Sequence, residues 1–168
     1  MRVYLLGFMG SGKSHWGKLL SQKLTIPLFD LDRQIVEDEE MPINEIFEQK
    51  GEEYFRMKEK EILHTLTENN DSFVMACGGG TPCFFNNIDF MNNNGTTVWL
   101  NTRMEVLYER LLKEKADRPL LRDLKDEQLK LFMVKKFSER RIYYEQAELV
   151  VEEDVASVES LIQNIMHA

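Results

Sequence analysis

Three observations place this chain in the α/β class, as one domain with a parallel central sheet and helices on both of its faces. Short apolar runs alternate with longer segments of helical spacing along the chain. The first run leads straight into Gly7-Phe8-Met9-Gly10-Ser11-Gly12-Lys13-Ser14, which matches the phosphate-binding pattern G-x-x-x-x-G-K-[ST]. Residues with chemistry to offer sit just after the predicted strands, the edge at which open α/β sheets bind ligands.

Residues 3–6 read as a buried strand, and residues 13–24 as a helix with Trp16, Leu19, Leu20 and Leu24 on one face. Strand, loop and helix in that order are the context the motif requires. Its glycines let the backbone wrap a phosphate, and successive N–H groups at the helix start present partial positive charge. Lys13 would reach the outer phosphates and the Ser14 hydroxyl would ligate Mg²⁺. The chain is therefore read as binding a nucleoside triphosphate. Further strands are predicted at 27–29, 73–76, 96–100 and 149–151, making five in all. Helices are predicted at 43–50, 52–67, 84–91, 103–115, 126–144 and 155–166. The last carries Val155, Val158, Leu161, Ile162 and Ile165 at helical spacing, so it should pack on the sheet. The charge run Glu37-Asp38-Glu39-Glu40 reads as the solvated end of a helix rather than as a metal site.

A chain of 168 residues can bury a sizeable core in one domain. Its 43% apolar and 30% charged residues are ordinary for a globular protein, and no apolar stretch approaches a membrane span. The first strand begins too early to leave room for a signal peptide. Cys77 and Cys83 lack metal or redox spacing, which favours a reducing cytoplasm. The net charge of −8 argues against a broad nucleic-acid or membrane surface, so local Arg and Lys clusters must hold any anionic substrate.

Four segments carry the candidate chemistry. Asp30-x-Asp32 follows the second strand; one carboxylate could hold Mg²⁺ through water while the other addresses a hydroxyl nucleophile. The same position suits Asp32 as a helix N-cap, and spacing alone does not separate the two. Gly78-Gly79-Gly80 follows the third strand, where three glycines in a row imply either close approach to a ligand or a tight strand exit. Arg118 lies in a charged segment between two helices and resembles part of a lid that closes over phosphates. Arg56 and the pair Arg140-Arg141 add positive charge on helices.

The ordered set Phe29-Asp30-Leu31-Asp32, Gly51-Glu52-x-x-Phe55-Arg56, Gly78-Gly79-Gly80 and Arg118-Pro119-Leu120-Leu121 resembles the shikimate kinases along nearly the whole chain. The resemblance implies a three-layer αβα phosphate-loop kinase fold, with a substrate-binding segment at about 31–61, a lid at about 111–123, and the core elsewhere (1–30, 62–110 and 124–168). It implies transfer of the ATP γ-phosphate to the 3-hydroxyl of shikimate, with Mg²⁺; a monomer is expected because no exposed apolar stripe is left over once the core is assigned. By similarity, Gly10, Ser11, Gly12, Lys13, Ser14, His15, Arg110 and Arg118 face ATP, with Arg110 stacking on adenine. Ser14 and Asp30 hold Mg²⁺, the latter through water, and Lys13, Asp32 and Arg118 are the catalytic group. Asp32, Arg56, Gly78, Gly79, Gly80 and Arg140 would bind shikimate, Arg56 pairing with its carboxylate.

Two departures stand out. The family's Arg-x-Pro-Leu-Tyr pattern reads here as Arg140-Arg141-Ile142-Tyr143-Tyr144, which makes Arg140 the second carboxylate contact and Arg141 its rival. After Ser14 the family places a small hydroxyl residue, whereas here His15 and Trp16 follow, read as a helix-surface histidine and a buried aromatic. His64 and His167 lack spaced partners and are expected at the surface. Rival functions are a kinase for another small molecule, a GTP switch and a binding module without catalysis. The first would not need two arginines for a carboxylate, the second should show an Asn-Lys-x-Asp string, and the third usually loses Lys13, Asp32 or Arg118.

Overall fold

Five strands, β1 (Arg2–Leu6), β2 (Leu28–Asp30), β3 (Phe73–Ala76), β4 (Thr96–Asn101) and β5 (Leu149–Glu152), form one sheet in the computed structural model, which describes residues 1–118, 120–153 and 156–168. All four pairings are parallel and the strand order is β2-β3-β1-β4-β5. The helices are α1 (Lys13–Leu24), α2 (Leu31–Glu39), α3 (Ile43–Lys50), α4 (Glu52–Asn69), α5 (Asn87–Asn94), α6 (Met104–Glu114), α7 (Asp126–Tyr144) and α8 (Val158–His167), with 3-10 turns at Thr81–Cys83 and Lys115–Asp117. Pro119 of the lid motif and Val155 of the last predicted helix lie outside the described residues.

The central strand explains the layering. Val3 and Leu5 point to one face of β1, where they pack with Val74, Val98 and Leu100 against Trp16 and Leu20 of α1 and Leu161 and Ile165 of α8. Tyr4 and Leu6 point to the other, against Met75, Trp99 and residues of α4, α5, α6 and α7. A strand buried on both faces must be apolar at every position, which is why β1 reads as a continuous run. The α1 face is centred on Trp16, Gly17 and Leu20, while Leu19 is only partly buried.

The structure corrects three expectations. Asp30 ends β2 and caps α2, accepting from Arg33 N at 3.2 Å, so the capping considered for Asp32 falls to Asp30. Asp32 sits in the first turn instead, free for another task. Helix α5 starts at Asn87 rather than 84, because Phe85 and Asn86 hold φ of 49° and 55°, outside the helical region. The acidic run is more than a solvated helix end. Glu39 accepts from Lys50 Nζ and Tyr54 Oη, both at 2.7 Å, and Lys58 reaches Asp38 at 2.6 Å, so the end of α2 is fastened to α3 and α4.

Leu20 is fully buried on the face of the sheet shared with α8. Leu20→Ala is expected to cost about 2–5 kcal/mol through lost burial and the cavity left behind. Urea unfolding monitored by circular dichroism would read this as a lowered midpoint with unchanged slope.

Candidate active site

The phosphate loop leaves the central strand and enters α1. Gly10 and Gly12 hold φ of 80° and 89°, a left-handed conformation that side chains rarely adopt. Gly12 is the N-cap of α1 and no side chain caps this helix, whereas Asp30 and Ser157 cap α2 and α8. Its first-turn N–H groups and the helix dipole therefore face the cleft without a side-chain acceptor. Lys13 Nζ folds back to donate to Gly7 O at 2.7 Å and Phe8 O at 3.0 Å. Burial pulls its pKa down to about 8, against the opposing pull of Asp32. Ser14 Oγ donates to Asp30 Oδ2 at 3.2 Å. The cleft in front of the loop has a volume of about 560 Å³, and Gly12, Lys13, Ser14, His15, Asp30, Asp32, Gly78, Gly79, Arg110 and Arg118 line it. Ser11 is buried in the loop rather than in the lining.

The glycine triplet after β3 is explained by space rather than by backbone angle, since none of the three has a positive φ. A Cβ on Gly78 would lie 2.9 Å from Asp32 Oδ1 and 3.1 Å from Glu59 Oε2. One on Gly79 would lie 3.0 Å from Arg140 Nη1, and one on Gly80 only 2.6 Å from Arg56 Nη2. Each missing side chain thus admits a different charged group. Asp32, Arg140 and Arg56 come from α2, α7 and α4 and meet along one stretch of backbone. The triplet's carbonyls are all engaged, accepting from Thr81 N, Cys83 N and Tyr144 Oη.

Arg56 is only 6% exposed, and its guanidinium lies 4.2 Å from the centre of the Phe84 ring. It donates to Glu59 Oε1 at 3.0 Å, and Glu59, with no exposed surface, also accepts from Thr81 Oγ1 at 2.8 Å. Desolvation pushes the Glu59 carboxyl above its usual range, against Arg56. Asp32 is raised for the same first reason, with the Asp30 charge adding to it and Lys13, Arg56 and Arg118 opposing. Asp32 itself is exposed and lines the cleft.

The two neighbouring arginines separate cleanly. Arg140 lies against Gly79, a residue of the cleft lining, and over the Phe8 ring at 5.8 Å; like Arg56 and Gly80, it sits behind that lining. Arg141 faces solvent and pairs with Glu145 at 2.7 Å. Beneath Arg140, the buried Tyr144 donates to Gly79 O at 2.6 Å. Arg118 pairs with Glu114 at 2.7 Å at the rim, and Leu121, three residues on, is buried in the main core, so the lid segment is anchored at its far end. Arg110 donates to Gly10 O at 2.9 Å and to Glu153 Oε2 at 3.0 Å.

His15 is exposed at the cleft rim with its ring edge-on to Trp16. His64 departs from the expected surface position: it is half-buried and stacked on Phe90 at 3.6 Å, and its pKa is lowered, first by desolvation. Sequence reasoning missed Glu59, Tyr144 and Glu153. Glu59 had a signal, since it lies three residues after Arg56 on one helix face. Tyr144 had one too, as the tyrosine that closes the Arg140–Tyr144 pattern, whereas Glu153 had none, because its partners are distant in the chain.

The sequence model of the shikimate kinase family matches residues 9–168. The shikimate kinase of Azobacteroides pseudotrichonymphae is 39% identical over 165 residues, spanning 98% of this chain and 97% of its own. Among solved structures, the shikimate kinase of Bacteroides thetaiotaomicron superposes with a TM-score of 0.89 at 36% identity, covering 99% of this chain and 97% of its own. The shikimate kinase of Acinetobacter baumannii in complex with shikimate superposes at 0.84 with 31% identity, covering 99% of this chain and 90% of its own.

Gly80→Ala would drive a methyl group into the buried Arg56 guanidinium, and overpacking of that kind costs about 1–3 kcal/mol. A lowered thermal midpoint is expected, and the drop caused by Gly80→Ala should be smaller when measured in an Arg56→Ala background, where the clash is gone; an undiminished midpoint would mean that the guanidinium moves aside freely.

Proposed function

The chain belongs to the shikimate kinase family, and on that premise we propose that it transfers the γ-phosphoryl group of ATP to the 3-hydroxyl of shikimate, releasing shikimate 3-phosphate and ADP. One observation carries the assignment of the acceptor: a carboxylate, Asp32, and two guanidinium groups, Arg56 and Arg140, converge on the glycine triplet beside the phosphate loop. A ring bearing a carboxylate and several hydroxyls is complementary to such a set, the forks of the arginines taking the carboxylate and Asp32 the hydroxyls.

Phosphoryl transfer needs positioning and charge stabilisation more than covalent chemistry. Lys13 leaves the Gly7 and Phe8 carbonyls for the β- and γ-phosphates, and the loop N–H groups hold the same oxygens. Arg118 approaches the phosphates from the lid, exchanging Glu114 for them. Asp32 orients the attacking hydroxyl and accepts its proton; a carboxyl whose pKa is raised is better matched to that task than an ordinary one. Gly79 and Gly80 offer backbone N–H groups to the substrate. Ser14 Oγ and Asp30 Oδ2 are hard oxygen donors that suit Mg²⁺, which takes only one or two protein ligands and completes its shell with water and phosphate. Among the described residues no cluster of three His, Cys, Asp or Glu side chains is arranged for a metal, in keeping with an ion that arrives with the nucleotide. When bound, Mg²⁺ neutralises charge on the β- and γ-oxygens. His15 and Arg110 border the nucleotide end. Residues 31–61 serve as the substrate-binding segment and 111–123 as the lid of an enzyme that works as a cytoplasmic monomer. No helix among the described residues is long and apolar enough to cross a membrane.

The deciding experiment measures ADP release with Mg²⁺ and ATP, offering shikimate, gluconate or nucleoside monophosphates. Turnover with shikimate alone supports the reading, and turnover with another acceptor in its place overturns it. Arg140→Ala is expected to raise the shikimate KM roughly 10–100-fold, the worth of a charge-assisted hydrogen bond, with little change in the ATP KM. Arg141→Ala should leave both within about twofold, and the reverse pattern would exchange their roles.

The pH profile follows from the two shifted groups. Lys13 is charged below about 8 in the free enzyme, so kcat/KM for ATP should fall as pH rises through that value. Asp32 must be ionised to act and its pKa is raised, so the acid limb for shikimate should lie above the ordinary aspartate value of about 4. Initial rates from pH 5 to 10 read both limbs; a flat profile up to pH 10 would exclude the depressed Lys13.

A further inference from the structure

Glu153 is an acidic side chain of the cleft to which the reaction described above gives no task, yet its carboxylate accepts three hydrogen bonds. It follows β5, where its N–H continues the ladder to Asn101 O at 3.1 Å and delivers the side chain to the ligand edge of the sheet. Its Oε2 accepts from Arg110 Nη2 at 3.0 Å and from Thr102 Oγ1 at 3.3 Å, and its Oε1 accepts from Trp16 Nε1 at 3.2 Å. The side chain is 9% exposed, and a Cβ on Gly12 would lie 3.3 Å from Oε1, so the carboxylate rests against the phosphate loop itself. Arg110 completes the frame by donating to Gly10 O. One carboxylate therefore ties α6, the end of β4 and α1 to the loop that must wrap the phosphates.

A lone carboxylate beside a phosphate site would repel the ligand, whereas one neutralised by Arg110 does not. In return it fixes both edges of the Arg110 fork, one on Glu153 and one on Gly10, leaving the guanidinium plane set rather than mobile before the ligand arrives. We propose that Glu153 is a positioning residue for the nucleotide: it holds Arg110 against the phosphate loop, and its bond to the indole makes Trp16 an optical reporter of nucleotide binding. This rests on the kinase reading of the cleft.

The test compares wild type with Glu153→Gln, Glu153→Asp and Arg110→Ala. Glu153→Gln keeps the size but removes the charge, and is expected to raise the ATP KM about tenfold while kcat and the shikimate KM stay within about twofold. Glu153→Asp should fall between the two. Combining Glu153→Gln with Arg110→Ala should raise the ATP KM no further than Arg110→Ala alone, because both act through one guanidinium. In parallel, titration with Mg²⁺ and ADP should change the tryptophan fluorescence of wild type, and the change should be lost in Trp16→Phe and weakened in Glu153→Gln. An unchanged ATP KM in Glu153→Gln, an equal rise for both substrates, additive effects in the double variant or an unaltered signal in Trp16→Phe would each overturn the proposal. If Glu153→Gln does not fold, Glu153→Asp and the fluorescence of Trp16→Phe decide. Failure of the kinase reading is distinguishable, since wild type itself would then give no shikimate-dependent ADP release.

Discussion

Three missing side chains decide where this protein can assemble its chemistry. Gly78, Gly79 and Gly80 need no unusual backbone angle; they are needed because Asp32 with Glu59, Arg140 and Arg56 occupy the places their Cβ atoms would take. The charged groups come from α2, α4 and α7, which share no local sequence. Only a backbone with nothing attached lets all of them approach one strand end. The rest of the site depends on that gap. Tyr144 fastens Gly79 from below, Thr81 continues the turn to Glu59, and the phosphate loop faces the triplet across the cleft.

The electrostatics of the cleft are built from alternating signs rather than from a positive field. The chain carries a net charge of −8, yet Lys13, Arg56, Arg110, Arg118 and Arg140 are concentrated at one edge of the sheet. Arg56, Arg110 and Arg118 each have a carboxylate partner, Glu59, Glu153 and Glu114 in turn. Buried partners such as Glu59 fix a guanidinium in place, since removing one would strand a desolvated charge. The half-exposed Glu114 can be exchanged for a stronger anion at little cost, as expected of a contact at a rim. Lys13 and Asp32 both carry pKa shifts led by desolvation and both line one cleft, an arrangement typical of sites that move protons and phosphates.

Much of the fold was legible from local pattern. The strand, loop and helix around residues 7–14, the burial of β1 and the limits of α7 followed from apolar runs, period and glycine placement, because those signals act within a few residues. Expectations failed where capping, backbone conformation or a distant partner decided the outcome. Asp30 rather than Asp32 caps α2, and the left-handed Phe85 and Asn86 delay α5, which no hydrophobic period records. The acidic run of α2 looked like a solvated end, yet Glu39 is clasped by Lys50 and Tyr54 from two later helices. His64 looked isolated, yet it stacks on Phe90.

By itself the sequence determined the class of fold, the phosphate loop and the list of charged residues that could serve a phosphoryl transfer, since each is written in contiguous residues or in their order. It also carried the resemblance that named the family. Only the tertiary structure decided which of two adjacent arginines lies against the glycine triplet, why three glycines stand together, and that Glu59, Tyr144 and Glu153 brace the residues around the cleft. Those outcomes depend on distances between segments tens of residues apart, and a helix's orientation is set by what it packs against rather than by its own spacing.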